Sequence, residues 1–406
     1  MANRDRRPKD KAHSRGSKAG LTLTRTAIVS VRRGHPWVYR EGIVRPPTDL
    51  PSGAVVELFD EAGERLGVGL WDAQSPIAAR VFNAEGRLDE RALIDRIERA
   101  FARRDGLVGP DTDAYRLCNG EGDRVPGLVL DRYAHVAVLR LDGEHLESWI
   151  DRLTGPLARS LSARGVRTLV LRLGRDEAGD RRIRTLSGPD APDRVMVREN
   201  GMVMEVDLAH GQKTGAFLDQ RDNRARVRAL GKGRSRVLNL YSYTGGFSLA
   251  AALGGATQVT SVDVASAAHA TAQRSFRENG LDPAAHAFVS ADAFAYLEGA
   301  ARRGDRFDLI ISDPPSFAPN ERAKPRALAA YRKLHGALAQ VIAKGGVLCA
   351  ASCSSHITAE DFLSTLDDAA LGRDDLSLVA MHGQPPDHPT SPAWFEGRYL
   401  KFAVMA

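Results

Sequence analysis

The sequence predicts a multidomain chain ending in a doubly wound α/β unit on a seven-stranded sheet, preceded by an α+β module and a small β-barrel-like domain. Three observations carry this. From about residue 196, strand-like runs alternate with helical ones. Over 21–87, short strands crowd between Gly and Pro. Over 88–195, an amphipathic helix leads into alternating strands and a second helix.

In chain order, residues 1–20 form a basic tail with seven Lys or Arg against two Asp, a charge of +5 out of +6 for the whole chain. Such a tail is disordered alone and attracts a phosphate backbone. The stretches TRTAIVSV, GHPWVYREGIV, GAVVELFD, GERLGVGLW and PIAARVF read as strands. In LDERALIDRIERAFARR, Leu93, Ile94, Ile97, Ala100 and Phe101 form one apolar stripe, so 88–104 is a helix. RLCNGEGDRVPGLVLDRY holds a Gly/Asp turn and a Pro-Gly turn. HVAVLRL and TLVLRLG are strands flanking the helix HLESWIDRLTGPLARSLSA. Residues 196–406 then repeat strand and helix: RVLNL, QVTSVDV, HAFVSAD, FDLIISD and VLCAASC each precede a helix, the last being TAEDFLSTLDDAAL. LSLVAMHG and RYLKFAVM have no helix between them and should pair antiparallel at one edge.

Composition narrows the class. A hydrophobic fraction of 43% is that of a soluble globular protein, and no apolar run approaches the roughly 20 residues of a membrane span. The N-terminus has no apolar core of a secretory signal. Three cysteines without repeated CxxC spacing argue against a disulfide framework or a zinc site, and fit a reducing cytoplasm.

Ligands of open α/β sheets sit at the carboxyl ends of the strands. After the first strand comes Tyr241-Ser242-Tyr243-Thr244-Gly245-Gly246-Phe247, whose glycines would admit a ligand close to the backbone. The second strand ends at Asp263, 18 residues past Gly245, a spacing suited to ribose hydroxyls. The third ends at Asp292 and the fourth at Asp313-Pro314-Pro315. A lone Asp at a strand end is most often a helix cap, but three in consecutive positions suggest a site. No GxxxxGK[ST] cradle is present, and acidic strand ends would repel a pyrophosphate. S-adenosylmethionine suits this pattern: ribose on Asp263, adenine near Asp292, the methionine part against the Gly turn.

The stretches NLYSYTGGFSLAAA, SDPPSF and SCS resemble motifs of Rossmann-like class I S-adenosylmethionine-dependent methyltransferases. HGQKTGAFLDQRDNR, CNGEGDRVPGLVLDRY and GHPWVY resemble further segments of one branch of these, the large-subunit ribosomal RNA cytosine-C5 methyltransferases that carry a PUA domain. The resemblance implies a PUA-like RNA-binding domain over 21–87, a middle domain over 88–195 and a methyltransferase domain over 196–406. It implies Cys353 as nucleophile and Phe217 and Gln220 as cofactor contacts, beside the strand-end candidates Tyr241, Ser242, Thr244, Gly245, Gly246, Phe247, Asp263, Asp292, Asp313 and Pro314; Asp313 is also the candidate catalytic contact to the N3 and N4 edge of the cytosine. It also implies ribosomal RNA, naked or in an assembling particle, as substrate; a homodimer is one arrangement the sequence permits. Ser354-Ser355-His356 departs from the family, where Ser-Gly and an apolar residue are usual.

The chemistry stands on its own terms. C5 of cytosine is too poor a nucleophile to take a methyl group from a sulfonium, and a thiolate added at C6 makes it one. Cys349 and Cys353 share a strand face, but Cys349 lies about 13 Å deeper at ~3.3 Å per residue, and so belongs to the core. Two other readings compete. A guanine N-methyltransferase of the same fold would need no thiol, and a non-catalytic RNA-binding or assembly factor would need no intact acidic strand ends. His35, Trp37 and Arg40 could touch RNA, although a Trp in a small barrel is usually core.

Overall fold

The structure, a computed structural model, describes residues 19–83, 87–174 and 182–406. Apart from its last two residues, the basic tail lies outside the described residues. The first sheet contains β1 (Ala19–Thr22), β2 (Trp37–Tyr39), β3 (Val55–Phe59), β4 (Arg65–Trp71) and β5 (Ile77–Asn83), in the order β1-β3-β4-β5-β2. One expected strand is a helix: TRTAIVSV becomes α1 (Arg25–Arg32). Ile28 and Val31 are three apart and both buried, while Arg25, Arg32 and Arg33 face outward. That helical spacing outweighs the β-branched content of the stretch. Helix α2 (Glu90–Arg104) starts at Asp89, whose carboxylate accepts from the amide of Ala92 at 3.0 Å. It buries Leu93, Ile97, Ala100 and Phe101.

The second sheet contains β6 (Ala114–Asn119), β7 (Leu128–Tyr133), β8 (Val136–Leu141), β9 (Thr168–Arg172) and β10 (Ile183–Ser187), in the order β10-β9-β8-β7-β6. Only β8 and β9 run parallel, because α3 (Ile150–Ser162) carries the chain back between them. A hairpin follows, β11 (Arg194–Glu199) with β12 (Met202–Asp207). The boundary expected at 195/196 falls inside β11. The reason is burial: Val195, Val197, Met204 and Val206 belong to the same hydrophobic core as Tyr133 and Val138 on one side and Leu249, Val259 and Phe276 on the other. The second and third sheets are therefore packed into one body.

After α4 (Arg221–Leu230) the third sheet is laid down. Its strands are β13 (Arg236–Leu240), β14 (Gln258–Asp263), β15 (Ala287–Ser290), β16 (Phe307–Ser312), β17 (Ile342–Ser352), β18 (Leu378–His382) and β19 (Lys401–Met405). Helices α5 (Gly246–Leu253), α6 (Ser266–Glu278), α7 (Ala293–Arg303) and α8 (Lys324–Val341) alternate with the first five. The order is β15-β14-β13-β16-β17-β19-β18. Strands β13 to β17 are parallel, and β19 runs antiparallel between β17 and the edge strand β18. The chain reverses its direction of travel between β13 and β16, which opens a crevice at their carboxyl ends. The helix expected over TAEDFLSTLDDAAL is two pieces, α9 (Ala359–Leu363) and α10 (Asp368–Leu371). Thr358 caps the first and Asp367 caps the second, so the stretch carries two helix starts. Among the described residues no helix is long and apolar enough to cross a membrane.

Candidate active site

The turn after β13 is held in an uncommon backbone shape. Tyr241 and Tyr243 both have positive φ, at 57° and 46°. Tyrosine disfavours this region, and such geometry persists where the surroundings impose it. Here Asp263, at the end of β14, accepts from the amide of Tyr243 at 2.8 Å and from that of Ala265 at 2.9 Å. Gly245 has φ 76°, and a Cβ there would lie 2.8 Å from the Cβ of Ala272 in α6. Its lack of a side chain serves helix packing, rather than the approach of a ligand. A Cβ on Gly246 would sit 3.0 Å from Cδ of Arg224, so this glycine makes room for an arginine.

Arg224 anchors the segment that crosses in front of the turn. Its guanidinium donates to both oxygens of Glu199 at 2.6 and 2.5 Å, and to the carbonyl of Phe217 at 3.0 Å. Both side chains of the pair are buried. Removing one partner of such a pair leaves an uncompensated buried charge. Glu199→Ala should therefore cost about 3–5 kcal/mol of stability, read as a lowered midpoint in urea unfolding. Further along, Thr214 donates to Asp131 at 2.6 Å and shares a hydrogen bond with Tyr133 at 2.8 Å, so it ties the segment to the second sheet. Arg221 pairs with Asp387 at 2.8 Å. Phe217 packs edge-on against Tyr243 with centroids 5.6 Å apart.

Asp313 ends β16, and its Oδ2 accepts from the side-chain amide of Gln220 at 2.9 Å. Burial, then the neighbouring Asp219, push its carboxyl up to about 6, against the pull of Lys213 and Gln220. Asp219 goes the other way: burial raises it, but the Lys213 ammonium at 2.6 Å and the Tyr399 hydroxyl at 2.7 Å hold it well below the usual range. Two nearby carboxyl groups are thus set apart, one ionised and one available for protonation near neutrality. Cys353 follows β17 directly, and its thiol faces the carbonyl of Pro314 at 4.0 Å. Burial, then Asp313, raise the thiol above its ordinary value. Cys349 is wholly buried in the core.

One cavity of about 470 Å³ is lined by Phe217, Gln220, Tyr241, Ser242, Thr244, Gly246, Phe247, Asp263, Asp313, Pro314 and Cys353. Gly245 and Asp292 were expected there and do not line it. Asp292 is exposed, and its Oδ1 accepts from the amide of Ala295 at 3.0 Å, the ordinary cap of α7. Lys213, Asp219, Met204, Val264 and Leu400 also line the cavity. Lys213 and Asp219 lie in the family-like segment, but Tyr399, which holds Asp219, had no sequence signal. His356 pairs with Glu321 at 3.4 Å, part-exposed, and is not part of the lining. Among the described residues no cluster of three or more His, Cys, Asp or Glu could hold a metal ion.

The cavity suits S-adenosylmethionine. The buried hydroxyl of Ser242 has no hydrogen-bond partner. Asp263 offers acceptor capacity to ribose hydroxyls, and Val264, 74% exposed, gives a surface for an adenine ring. Aromatic rings and the carboxyl of Asp313 surround the remainder, which favours a sulfonium over a phosphate.

The GHPWVY stretch is engaged within the protein. The indole of Trp37 donates to Glu121 at 2.7 Å, Arg80 donates to the same carboxylate at 2.6 Å, and Trp394 packs against the Trp37 ring at 5.6 Å. His35 pairs with Glu396 at 3.3 Å. Arg40 donates to the carbonyls of Asp72, Ala73 and Ser75. His35 and Trp37 fasten the first sheet to the rest of the molecule, and Arg40 braces a turn.

Comparison with known proteins agrees with this geometry. Residues 141–397 match the S-adenosylmethionine-dependent methyltransferase family and residues 21–83 match a PUA-like domain. A ribosomal RNA large subunit methyltransferase of Deinococcus radiodurans is 39% identical over 95% of this chain and 96% of its own. Ribosomal RNA large subunit methyltransferase I of Aeromonas hydrophila is 35% identical over 95% of this chain and 99% of its own. The structure of SMU.776 complexed with SAH superposes with a TM-score of 0.84 at 26% identity, covering 95% of this chain and 99% of that one. The matched segments and the cavity together show that the chain belongs to the S-adenosylmethionine-dependent methyltransferases, among the relatives known as ribosomal RNA large subunit methyltransferases, with a PUA-like domain near its N-terminus.

Proposed function

We propose that this protein methylates C5 of a cytosine in large-subunit ribosomal RNA through a covalent bond between Cys353 and C6 of the base. The observation that carries the reading is the convergence of Cys353 and Asp313, from the ends of the neighbouring parallel strands β17 and β16, on the cavity that suits the cofactor. The names of the relatives support ribosomal RNA as the substrate. Residues 21–87 and 88–195 are the RNA-binding and middle units of this reading, and 196–406 the catalytic unit.

S-adenosylmethionine supplies an electrophilic methyl group on a positively charged sulfur. The chain's own residues prepare the acceptor. Asp313 takes the proton of the Cys353 thiol and places it at N3 of the base as the sulfur bonds to C6. The ring then carries electron density at C5, which takes the methyl group. Loss of the C5 proton to water and cleavage of the bond from sulfur to C6 restore the aromatic ring, and the proton on N3 returns through Asp313 to the departing sulfur, which regenerates the free cysteine. Lys401 donates to the backbone carbonyls of Ser354, Ile357 and Tyr399, and so fixes the turn that presents the sulfur.

The test uses unmodified large-subunit ribosomal RNA and methyl-labelled S-adenosylmethionine, followed by digestion to nucleosides. Label in 5-methylcytidine is expected. Label in a methylguanosine would replace this reading with nitrogen methylation, and absence of label from ribosomal RNA and its precursors would favour an assembly factor.

A further inference from the structure

Beside the reaction cavity lies a second one of about 300 Å³ that the mechanism above does not use. Its walls come from the ends of β8 and β9 and the start of β10, with Gln212 and Lys213 as the floor shared with the reaction cavity. Arg140, Arg172 and Arg182 line it, and among the described residues no carboxylate does.

The three arginines differ in what they are free to do. Arg172 is buried and donates to the carbonyls of Leu208 and Gly211, so it holds in place the backbone leading to Gln212 and Lys213. Arg140 is paired with Asp142 at 3.0 Å, but both side chains are partly exposed, at 34% and 44%. Water and salt screen such a pair, and it opens at little cost. No carboxylate lies within ion-pair distance of Arg182 among the described residues, and its charge acts on Arg172, whose basicity is lowered first by burial and then by Arg182. Arginines gathered in excess of their carboxylate partners attract an anion, and guanidinium groups match phosphate oxygens in geometry.

We infer that this cavity binds the RNA backbone, with Arg140 and Arg182 each contacting a phosphate next to the nucleotide whose base enters the reaction cavity. The inference rests on the RNA substrate proposed above. The common floor carries the argument. A base drawn into an enclosed pocket must leave its neighbours, and the backbone on either side then needs a hold close to the pocket mouth. Among the described residues, Gln212 and Lys213 alone face both cavities. Lys213 is already engaged with Asp219, and among the described residues that line the cavity this leaves Arg140 and Arg182 as the cations available to the strand.

The experiment measures binding of a short single-stranded RNA with one central cytosine to the full chain, with S-adenosylhomocysteine present, over a range of salt concentrations. In the R140A/R182A variant the slope of log K against log salt should fall by about 1.4, two phosphates at about 0.7 each for a single strand. The R140K/R182K variant keeps both charges and should keep the slope. With ribosomal RNA as substrate, KM should rise about tenfold in R140A/R182A while kcat changes far less. Unchanged affinity for S-adenosylhomocysteine and an unchanged melting temperature would show that the variant is folded. An unaltered salt slope in a folded R140A/R182A protein would overturn the inference even where 5-methylcytidine is formed. The same would follow if the variant lost affinity for inorganic phosphate alone and bound RNA as before, since the cavity would then serve a free anion. A fallen slope in a protein that labels no cytosine would uphold the cavity and sink the cytosine reading, so the two ideas fail separately.

Discussion

Cys353→Ala should lose at least about 10⁴-fold in turnover, while affinity for S-adenosylmethionine changes by less than about twofold. The two effects separate because the sulfur is asked to do something no neighbour can replace. Without a bond at C6, C5 of the base has no means of attacking the methyl group, whatever the cofactor's position. In the proposed site the cofactor is held by Asp263, Ser242 and the aromatic rings, which the substitution leaves alone. Removing the thiol also relieves Asp313 of a neighbour with a raised proton affinity, so the fold should not suffer. RNA containing 5-fluorocytosine reads the bond directly. The fluorine cannot leave as a cation after methyl transfer, so the wild-type protein should be trapped as an adduct stable to denaturing gels. An undiminished adduct in Cys353→Ala would sink the assignment.

Asp313→Asn should lower turnover by about 10²–10³-fold with a much smaller effect on cofactor affinity. The pH profile tells more than the rate. The productive state of the pair carries one proton between Asp313 and Cys353. As pH falls through about 6, Asp313 becomes protonated as well, it can no longer receive the thiol proton, and activity is lost. At high pH, above the raised range of the thiol, both groups are bare and none is left for N3. The wild-type profile should be a bell, and Asp313→Asn should remove its acidic limb. Stability supplies an independent check with the opposite sign. The folded carboxyl titrates near 6 against an ordinary value of 3.8, so its contribution is complete below 3.8 and disappears as pH rises through about 6. Asp313→Asn should accordingly raise the melting temperature at pH 8 more than at pH 4. An acidic limb that survives in Asp313→Asn would assign that limb to another group. A loss confined to cofactor affinity would remove Asp313 from the chemistry.

Much of this site could be read in the chain because local periodicity records which face of each element is buried. The run of apolar residues in β16 and β17 marks two strands covered on both sides, and their last residues must then lie at the crevice. Cys349 and Cys353 share one face of the strand, and four residues of rise separate the first, in the core, from the second, at the opening. The same local rules misled where two signals overlapped. TRTAIVSV carries β-branched residues, yet a contact three residues apart decided for a helix. Asp292 sits at the right strand end and spends its carboxylate on a cap, as does any Asp before a helix unless something else claims it.

By itself the sequence determined the alternation of strand and helix in the third sheet and most of the residues that face its open end. These follow from hydrophobic spacing and turn residues, which act over a few positions. Tertiary structure alone decided how the charges are set. Asp219 and Tyr399 are 180 residues apart, Asp313 and Gln220 are 93 apart, and Trp37 and Glu121 are 84 apart. Whether a carboxyl is ionised, shared or free depends on which partners burial brings within about 3 Å of it, and no pattern along the chain records that distance.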